Sequence, residues 1–377
     1  MFKFIFTIKD LFSYTLRKKK LPPKQMLSAT LLPLGHALYP SAITFELTAR
    51  CNLKCRHCWW NEINPSQRKE YMSQEITLEE IKKIIDEICE FIPRIGFTGG
   101  EPFARADILE IISYAAKKKM KISVLTNATL IDQEIAKFLM KTKAIYDIGV
   151  SIDGSRTIHD RIRGVVGSFD KTINGIKIMK KYQKIYNRED LKLKINCVEQ
   201  KENINDFSDL VDLAKELDIE LGFLSLMWLT EDVKRKHDRC MEKLFGLKGS
   251  STTIGHNLRL ADFNVENLIG SISLAKNKAK KNGIKLSLDR CNTPQKIKLW
   301  YTTNKKIYAR SGCTHPYTCR IKPNGDLVMC SFIPYSYGNL KEESFKEIWN
   351  EKKATYARRM FRNYNRQFPG CVRCCKY

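Results

Sequence analysis

The chain reads as an α/β protein, a partial (β/α)6 parallel barrel followed by a cysteine-rich domain built on a β-hairpin. Three observations predict this. Six short runs of branched and apolar residues alternate with helical patterns, and strands that alternate with helices pair in parallel through right-handed crossovers. Polar or glycine-rich clusters follow successive runs, at the carboxyl strand ends where such barrels collect their reacting groups. Near the C-terminus, Asn324-Gly325 between Ile321 and Leu327 signals a two-residue hairpin with a cysteine on either side.

In order along the chain, residues 1–41 read as a basic amphipathic extension. Phe4, Ile8, Leu11 and Phe12 stand among lysines, and the stretch Met1 to Lys20 closes on Arg17-Lys18-Lys19-Lys20. No apolar run there reaches the roughly 20 residues of a spanning helix, and Lys3, Lys9 and Asp10 interrupt any signal-peptide core. Met26 to Tyr39 is a second apolar stretch, broken by Pro33 and Gly35. Together the two suit an interfacial anchor on a bilayer; a helix packed on the body of the protein is the alternative.

The barrel occupies residues 42–230. Its strands are expected at Ile43 to Leu47, Ile95 to Thr98, Lys121 to Leu125, Asp147 to Ile152, Leu191 to Val198 and Leu221 to Leu226. Helices are expected at Leu78 to Phe91, Ala106 to Lys118, Gln133 to Lys141, Asp170 to Tyr186 and Asp206 to Leu217. Residues 231–311 form a helical connecting region with one strand-like run, Ile284 to Leu288, and with Glu231 to Cys240 and Gly249 to Gly255 as either a substrate-covering loop or a linker. Residues 312–377 hold the distal cysteines.

Thirteen cysteines, an odd number gathered toward the two ends of a 377-residue chain without a secretory signal, point to a reducing, cytoplasmic setting. There the thiols meet metal rather than one another. Cys89, Cys197, Cys240 and Cys291 read as small buried apolar residues. The net charge of +25 suits an anionic partner: a membrane surface on the cytoplasmic side, a nucleic acid or an acidic peptide. The competing reading is lysine spread over solvated faces.

The most informative motif is Cys51, Cys55 and Cys58, at CxxxCxxC spacing just after the first strand. Three thiolates on one loop can hold three corners of an iron-sulfur cube and leave the fourth iron open to a ligand that is not protein. A zinc staple, with His57 or a distant residue as fourth ligand, is the alternative. Thr98-Gly99-Gly100-Glu101-Pro102 ends the second strand, Thr126-Asn127 the third, and Ser151-Ile152-Asp153-Gly154 the fourth. All of these converge on one mouth.

On these residues the chain resembles the radical S-adenosylmethionine enzymes. The likeness runs through the cysteine motif, Gly99-Gly100-Glu101-Pro102, Asn127, Ser151 to Gly154 and the segment His159-Asp160 to Arg163-Gly164, most of residues 42 to 230. His57 stands where the family usually places an aromatic residue. The resemblance implies a 4Fe-4S cluster on Cys51, Cys55 and Cys58, and S-adenosylmethionine on its open iron, cleaved reductively to methionine and a 5'-deoxyadenosyl radical. It also implies an electron donor such as flavodoxin or ferredoxin. Gly99 and Gly100 would let backbone approach the cofactor, Glu101 would accept from its ammonium group, and Pro102 completes the cofactor-binding motif. Asn127, Ser151 and Asp153 become candidates for its carboxylate or ribose, and Arg163 for its carboxylate.

The distal part resembles the SPASM and twitch auxiliary-cluster domains, whose cysteine, glycine, GxxxxC pattern is met by Cys313, Gly325 and Cys330. The later cysteines of a full SPASM domain are missing, which implies one auxiliary 4Fe-4S cluster. Six cysteines compete for it, Cys375 among them. Cys313, Cys319, Cys330 and Cys374 form one set, and Cys313, Cys330, Cys371 and Cys374 the other. In the first set Cys319 and Cys330, flanking the hairpin, would face a common site.

Within this subgroup a peptide or protein side chain is the expected substrate, oxidised by an oxidoreductase or transferase-like maturase. The lack of a leader-binding domain ahead of the barrel counts against it. A membrane lipid is the second expectation, and a non-catalytic metal protein that binds nucleic acid the third.

Overall fold

The computed structural model describes residues 35–374 apart from 41, 250–255, 258–263, 290, 304–312, 314–317, 331–332 and 365–366. The expected helix of Met1 to Lys20, most of Met26 to Tyr39, all of the Gly249 to Gly255 stretch but Gly249, and Cys375 therefore lie outside the described residues. One sheet organises the rest. Its first six strands are β1 (Ile43–Glu46), β2 (Arg94–Thr98), β3 (Lys121–Thr126), β4 (Ile145–Ser151), β5 (Lys192–Val198) and β6 (Glu220–Leu224), each pairing in parallel with the next. All six expected strands form within a residue or two of their expected bounds.

Two-residue periodicity explains the layering. Ile43, Phe45, Ile95, Phe97, Ile122, Val124, Ile148 and Val150 share one face of the sheet and are buried. Thr44, Gly96 and Ser123 share the opposite, concave face, where a Cβ on Gly96 would stand 3.2 Å from Ser123 Oγ and 3.6 Å from Thr44 Oγ1. The helices supply the outer layer. Among them, α1 (Trp59–Glu62) and α2 (Pro65–Ser73) follow the cysteine loop, and α3 (Leu78–Ile88) opens on a Thr77/Glu80 capping box. Helix α3 buries Ile81, Ile84, Ile85 and Ile88, the spacing of one helical stripe. Helices α4 (Ile108–Lys117), α5 (Gln133–Lys141), α6 (Arg156–Arg163), α7 (Ser168–Ile185) and α8 (Phe207–Leu217) complete the crossovers. The segment of α6, which in sequence showed only a polar motif, is helical and ends on Gly164 at φ +70°.

The connecting region adds β7 (Trp228–Leu229), α9 (Glu231–Phe245), β8 (His256–Asn257), α10 (Val265–Lys281), β9 (Leu286–Leu288) and α11 (Pro294–Thr302). Strand β9 pairs in parallel with β6 and extends the barrel wall. At the other edge β10 (Cys319–Ile321) pairs in parallel with β1, so the distal hairpin of β10 and β11 (Asp326–Cys330) continues the barrel's own sheet, with β12 (Ile333–Asn339) outermost. Its loop is longer by one residue than the Asn-Gly signal suggested. Lys322 N donates to Asp326 O and Gly325 N to Lys322 O, both at 2.9 Å, with Gly325 at φ +92°, the three-residue connection with a glycine bulge. Helices α12 (Phe345–Trp349) and α13 (Lys352–Asn363) cover the far side. Among the described residues no helix is long and apolar enough to cross a membrane.

A buried charge cluster ties this hairpin to the barrel. Glu46 at the end of β1 accepts from Lys322 Nζ at 2.9 Å and from Arg320 Nη1 at 3.2 Å, and Lys322 lies 4.1 Å from the centre of the Trp59 ring. Both Glu46 and Lys322 are almost wholly buried. Burial presses the Lys322 ammonium below its ordinary pKa, and Glu46 works against that. Removing the carboxylate leaves the ammonium uncompensated. Glu46→Ala is therefore expected to cost about 3–5 kcal/mol in urea denaturation, and Lys322→Met, which leaves Glu46 its Arg320 partner, distinctly less.

Candidate active site

The cysteine loop is held as backbone, from two sides. On one, Gly100 N donates to Thr48 O at 2.7 Å and Glu101 N to Arg50 O at 2.8 Å. A Cβ on Gly100 would come within 2.1 Å of Arg50 O, and one on Gly99, whose φ is +142°, within 2.6 Å of Thr48 O. The room that the two glycines provide is thus filled by the cysteine loop itself. On the other side, Lys54 N donates to Arg163 O and Arg56 N to Ile162 O, both at 2.9 Å, and a Cβ on Gly164 would meet Lys54 O at 2.5 Å. Glu75 holds the start of the loop, accepting from Thr48 Oγ1 at 2.6 Å and Ala49 N at 3.1 Å.

The three thiols of this loop are free. Burial pushes Cys51 and Cys58 up to about 11, and each also feels the charge of neighbouring cysteines of the set. Thiols that close, unbridged and on one loop fit a shared soft metal group, which would ionise them. Among the described residues no three His, Cys, Asp or Glu side chains are grouped as a single metal ion needs; an iron-sulfur cube, which spaces its cysteines around four irons, does not ask for that.

Glu101 is buried, and its Oε1 accepts from Thr126 Oγ1 at 2.7 Å and Phe103 N at 3.2 Å, while Oε2 accepts from Asn127 N at 2.7 Å. A carboxylate has about four acceptor positions, so one on Oε2 is left. Burial raises this carboxyl to about 7 against the opposing pull of those donors. Asn127 bonds Asn52 Oδ1 at 2.9 Å and accepts from Thr129 N and Oγ1 at 2.9 and 2.6 Å, tying β3 to the cysteine loop. Pro102 opens a buried 3-10 turn. Ser151 ends β4 in register with Asn196 and only half-buried.

Asp153 and Arg163, singled out in sequence as separate contacts for a cofactor, face each other at 2.7 Å. Asp153 Oδ1 also accepts from Val198 N at 3.0 Å, and Arg163 Nη1 donates toward Cys55 Sγ at 3.6 Å. Burial alone would lift the Asp153 carboxyl, but Arg163 holds it below the usual range. His159 accepts from Asp153 N at 3.3 Å on Nδ1, and burial drives it down to about 4, so the ring is neutral. His57 is paired through Nδ1 with Gln200 at 3.2 Å. Of this group Gln200 and Asn203, which donates to Asp153 O at 2.8 Å, gave no functional signal in the sequence, and His159 lay in the motif segment with no role assigned. They are ordinary polar residues until β4, β5 and α6 bring them together.

At the distal site, Cys371 and Cys374 are presented by the 3-10 turn Pro369–Arg373, and the half-buried Cys371 feels Cys313, Cys330 and, less strongly, Cys240. Cys319 is set apart from Cys330 by the strand register. In β10 and β11 Arg320 pairs with Val328, so Cys330 shares their face while Cys319 takes the other. There the charge that reaches Cys319 is that of Arg358 on α13. The expectation that Cys319 and Cys330 face one site is corrected by this register.

Residues 45–214 match the radical SAM superfamily model, and residues 313–375 that of the iron-sulfur cluster-binding SPASM domain. The chain belongs to the radical SAM superfamily. Within it, the distal match marks a member that carries a SPASM domain, and the two domains imply 4Fe-4S clusters and S-adenosylmethionine as the cofactors. An AdoMet-dependent heme synthase of Methanosarcina barkeri is 27% identical over 325 residues, 82% of each chain. The subtilosin biosynthesis protein AlbA of Bacillus subtilis is 37% identical over 142 residues, 37% of this chain and 30% of that one. Among solved structures, SuiB of Streptococcus suis with bound S-adenosylmethionine gives a TM-score of 0.63 at 16% identity, over 94% of this chain and 79% of that one. At that identity the likeness is one of fold.

Two outcomes are expected from this geometry. Gly100→Ala forces Arg50 and the cysteine loop to move, so the purified variant retains its far-ultraviolet dichroism but loses most of the iron it takes up on reconstitution. Glu199, at the end of β5, is buried, accepts from Tyr301 Oη at 2.9 Å and is raised from 4.5 to about 8 by burial. Between those values the unfolded chain has lost a proton that the folded chain keeps, so this group's contribution falls as pH rises. Glu199→Gln should flatten the pH dependence of unfolding across that window and leave the variant the more stable at its upper end.

Proposed function

We propose that the chain cleaves S-adenosylmethionine reductively and uses the resulting radical to oxidise a side chain of a peptide or protein. The observation that carries this is the cysteine loop, gripped between Gly99-Gly100-Glu101 and α6 at the carboxyl end of the barrel, with a second cysteine set joined to the same sheet edge. When bound, the cluster on Cys51, Cys55 and Cys58 supplies the electron that yields methionine and a 5'-deoxyadenosyl radical, which takes a hydrogen atom from substrate. The chain's own residues do the holding. The remaining acceptor position on Glu101 Oε2 suits the cofactor's ammonium, and Ser151 its polar groups. Asn127 fixes the loop beside them, and Asp153 with Arg163 closes the back of the site. Cys313, Cys330, Cys371 and Cys374 hold the auxiliary cluster, since Cys371 feels both Cys313 and Cys330, and Cys374 follows it on the same turn, its N bonded to Cys371 O.

The peptide substrate is supported by the likeness of the barrel to the subtilosin biosynthesis protein. A tetrapyrrole is the second reading, because the heme synthase aligns over most of both chains. The concave wall leaves Leu125 and Leu224 accessible beside the polar groups, compatible with either.

Anaerobic reconstitution should give about eight irons per chain, four per cluster. Cys371→Ala should lose about half of them and Cys319→Ala none, by iron and sulfide analysis; equal losses would return Cys319 to the ligand set. With reductant and S-adenosylmethionine, 5'-deoxyadenosine release should rise on adding an acceptable peptide from a library and not on adding iron-coproporphyrin. The reverse pattern selects the tetrapyrrole, and zinc without cleavage rules out both.

A further inference from the structure

Arg163 ends α6 directly behind the loop of Cys51, Cys55 and Cys58 and is 7% exposed. Its guanidinium divides between two groups of negative character, Asp153 at 2.7 Å and the Cys55 sulfur at 3.6 Å. Its backbone is fastened to the same loop through Lys54 N to Arg163 O and Arg56 N to Ile162 O, and Gly164 packs on the Lys54 carbonyl. The backbone contacts keep the end of α6 against the loop, and the Asp153 ion pair holds the guanidinium beside the sulfur.

We propose that Arg163 is a positioning residue that sets the reduction potential of the cluster on Cys51, Cys55 and Cys58, with Asp153 as the opposing charge that moderates it. The inference rests on the reading that these cysteines hold that cluster. A four-iron cluster becomes more negative on reduction, and a cation that donates to a ligating sulfur stabilises the reduced form more than the oxidised one. Burial keeps water from screening the effect. Of the other groups that face the pair, Glu101 feels Arg163 and His57 acts on Asp153 without touching the guanidinium, while His159 is neutral and Cys197 is held as a thiol by burial. In direct contact, the potential at Cys55 is a balance between one guanidinium and the carboxylate that pairs with it.

That balance makes opposite predictions for its two members. Arg163→Met, Arg163→Lys and Asp153→Asn are reconstituted in the full chain and titrated redox-potentiometrically by electron paramagnetic resonance, following the signal that changes on adding S-adenosylmethionine. Arg163→Met is expected to disfavour reduction about tenfold, ~59 mV for one electron, and Asp153→Asn to favour it. Arg163→Lys, which keeps the charge, should lie nearer the unaltered protein. A purely structural role would instead cost both Arg163→Met and Asp153→Asn their iron and shift neither potential in opposite directions. If Arg163→Met loses its cluster, the other two variants decide. Unmoved potentials with iron retained, or weaker S-adenosylmethionine binding by equilibrium dialysis with potentials unmoved, overturn the proposal and leave the cluster assignment standing. An unaltered protein with no signal that responds to S-adenosylmethionine overturns both.

Discussion

The cysteine loop has little structure of its own, and everything at the mouth depends on its being clamped as backbone between two glycine-bearing elements. Gly99 and Gly100 at the end of β2 let the carbonyls of Thr48 and Arg50 approach more closely than any Cβ allows, and Gly164 does the same for Lys54 from α6. Hydrogen bonds from both sides then fix the loop's path. Glycine at these positions is required by close approach within the chain. The loop therefore arrives at the mouth with its three thiols preset, and metal binding need not supply that ordering.

Around this clamp lies a layer of buried charged groups, among them three carboxylates that each bond a partner from another element. Glu101 joins β2 to β3, Asp153 joins β4 to β5 and α6, and Glu46 joins β1 to the distal hairpin. Unpaired, such groups would be costly. Paired, they hold successive strand ends in fixed relation, which is what a site assembled from five strands requires. The edge pairing of β10 on β1 extends the same logic to the distal hairpin, so Cys330 of the second cysteine set stands on the sheet whose β1 leads into the cysteine loop.

The sequence carried the barrel because its signals are local. Six branched runs, helical stripes such as Ile81, Ile84, Ile85 and Ile88, and clusters at strand ends are short-range patterns that tertiary contacts reinforce. The three cysteines of the loop, Gly99-Gly100-Glu101 and Asn127 were legible for the same reason. The α6 helix was not, because Arg156–Arg163 buries only His159, Ile162 and Arg163 and offers a weak apolar stripe.

The sequence by itself determined the order of strands and helices, the identity of the cysteines and the convergence of motifs on one mouth, since these follow from residue type and spacing. Only the tertiary structure decided how the polar residues pair. Nothing in the spacing of Asp153 and Arg163 shows that they neutralise each other with the guanidinium turned to Cys55, because that contact spans 108 residues. Strand parity likewise parts Cys319 from Cys330, which sequence brings together across one turn. Long-range pairing is set by register and helix docking, and these are properties of the folded sheet rather than of any segment in it.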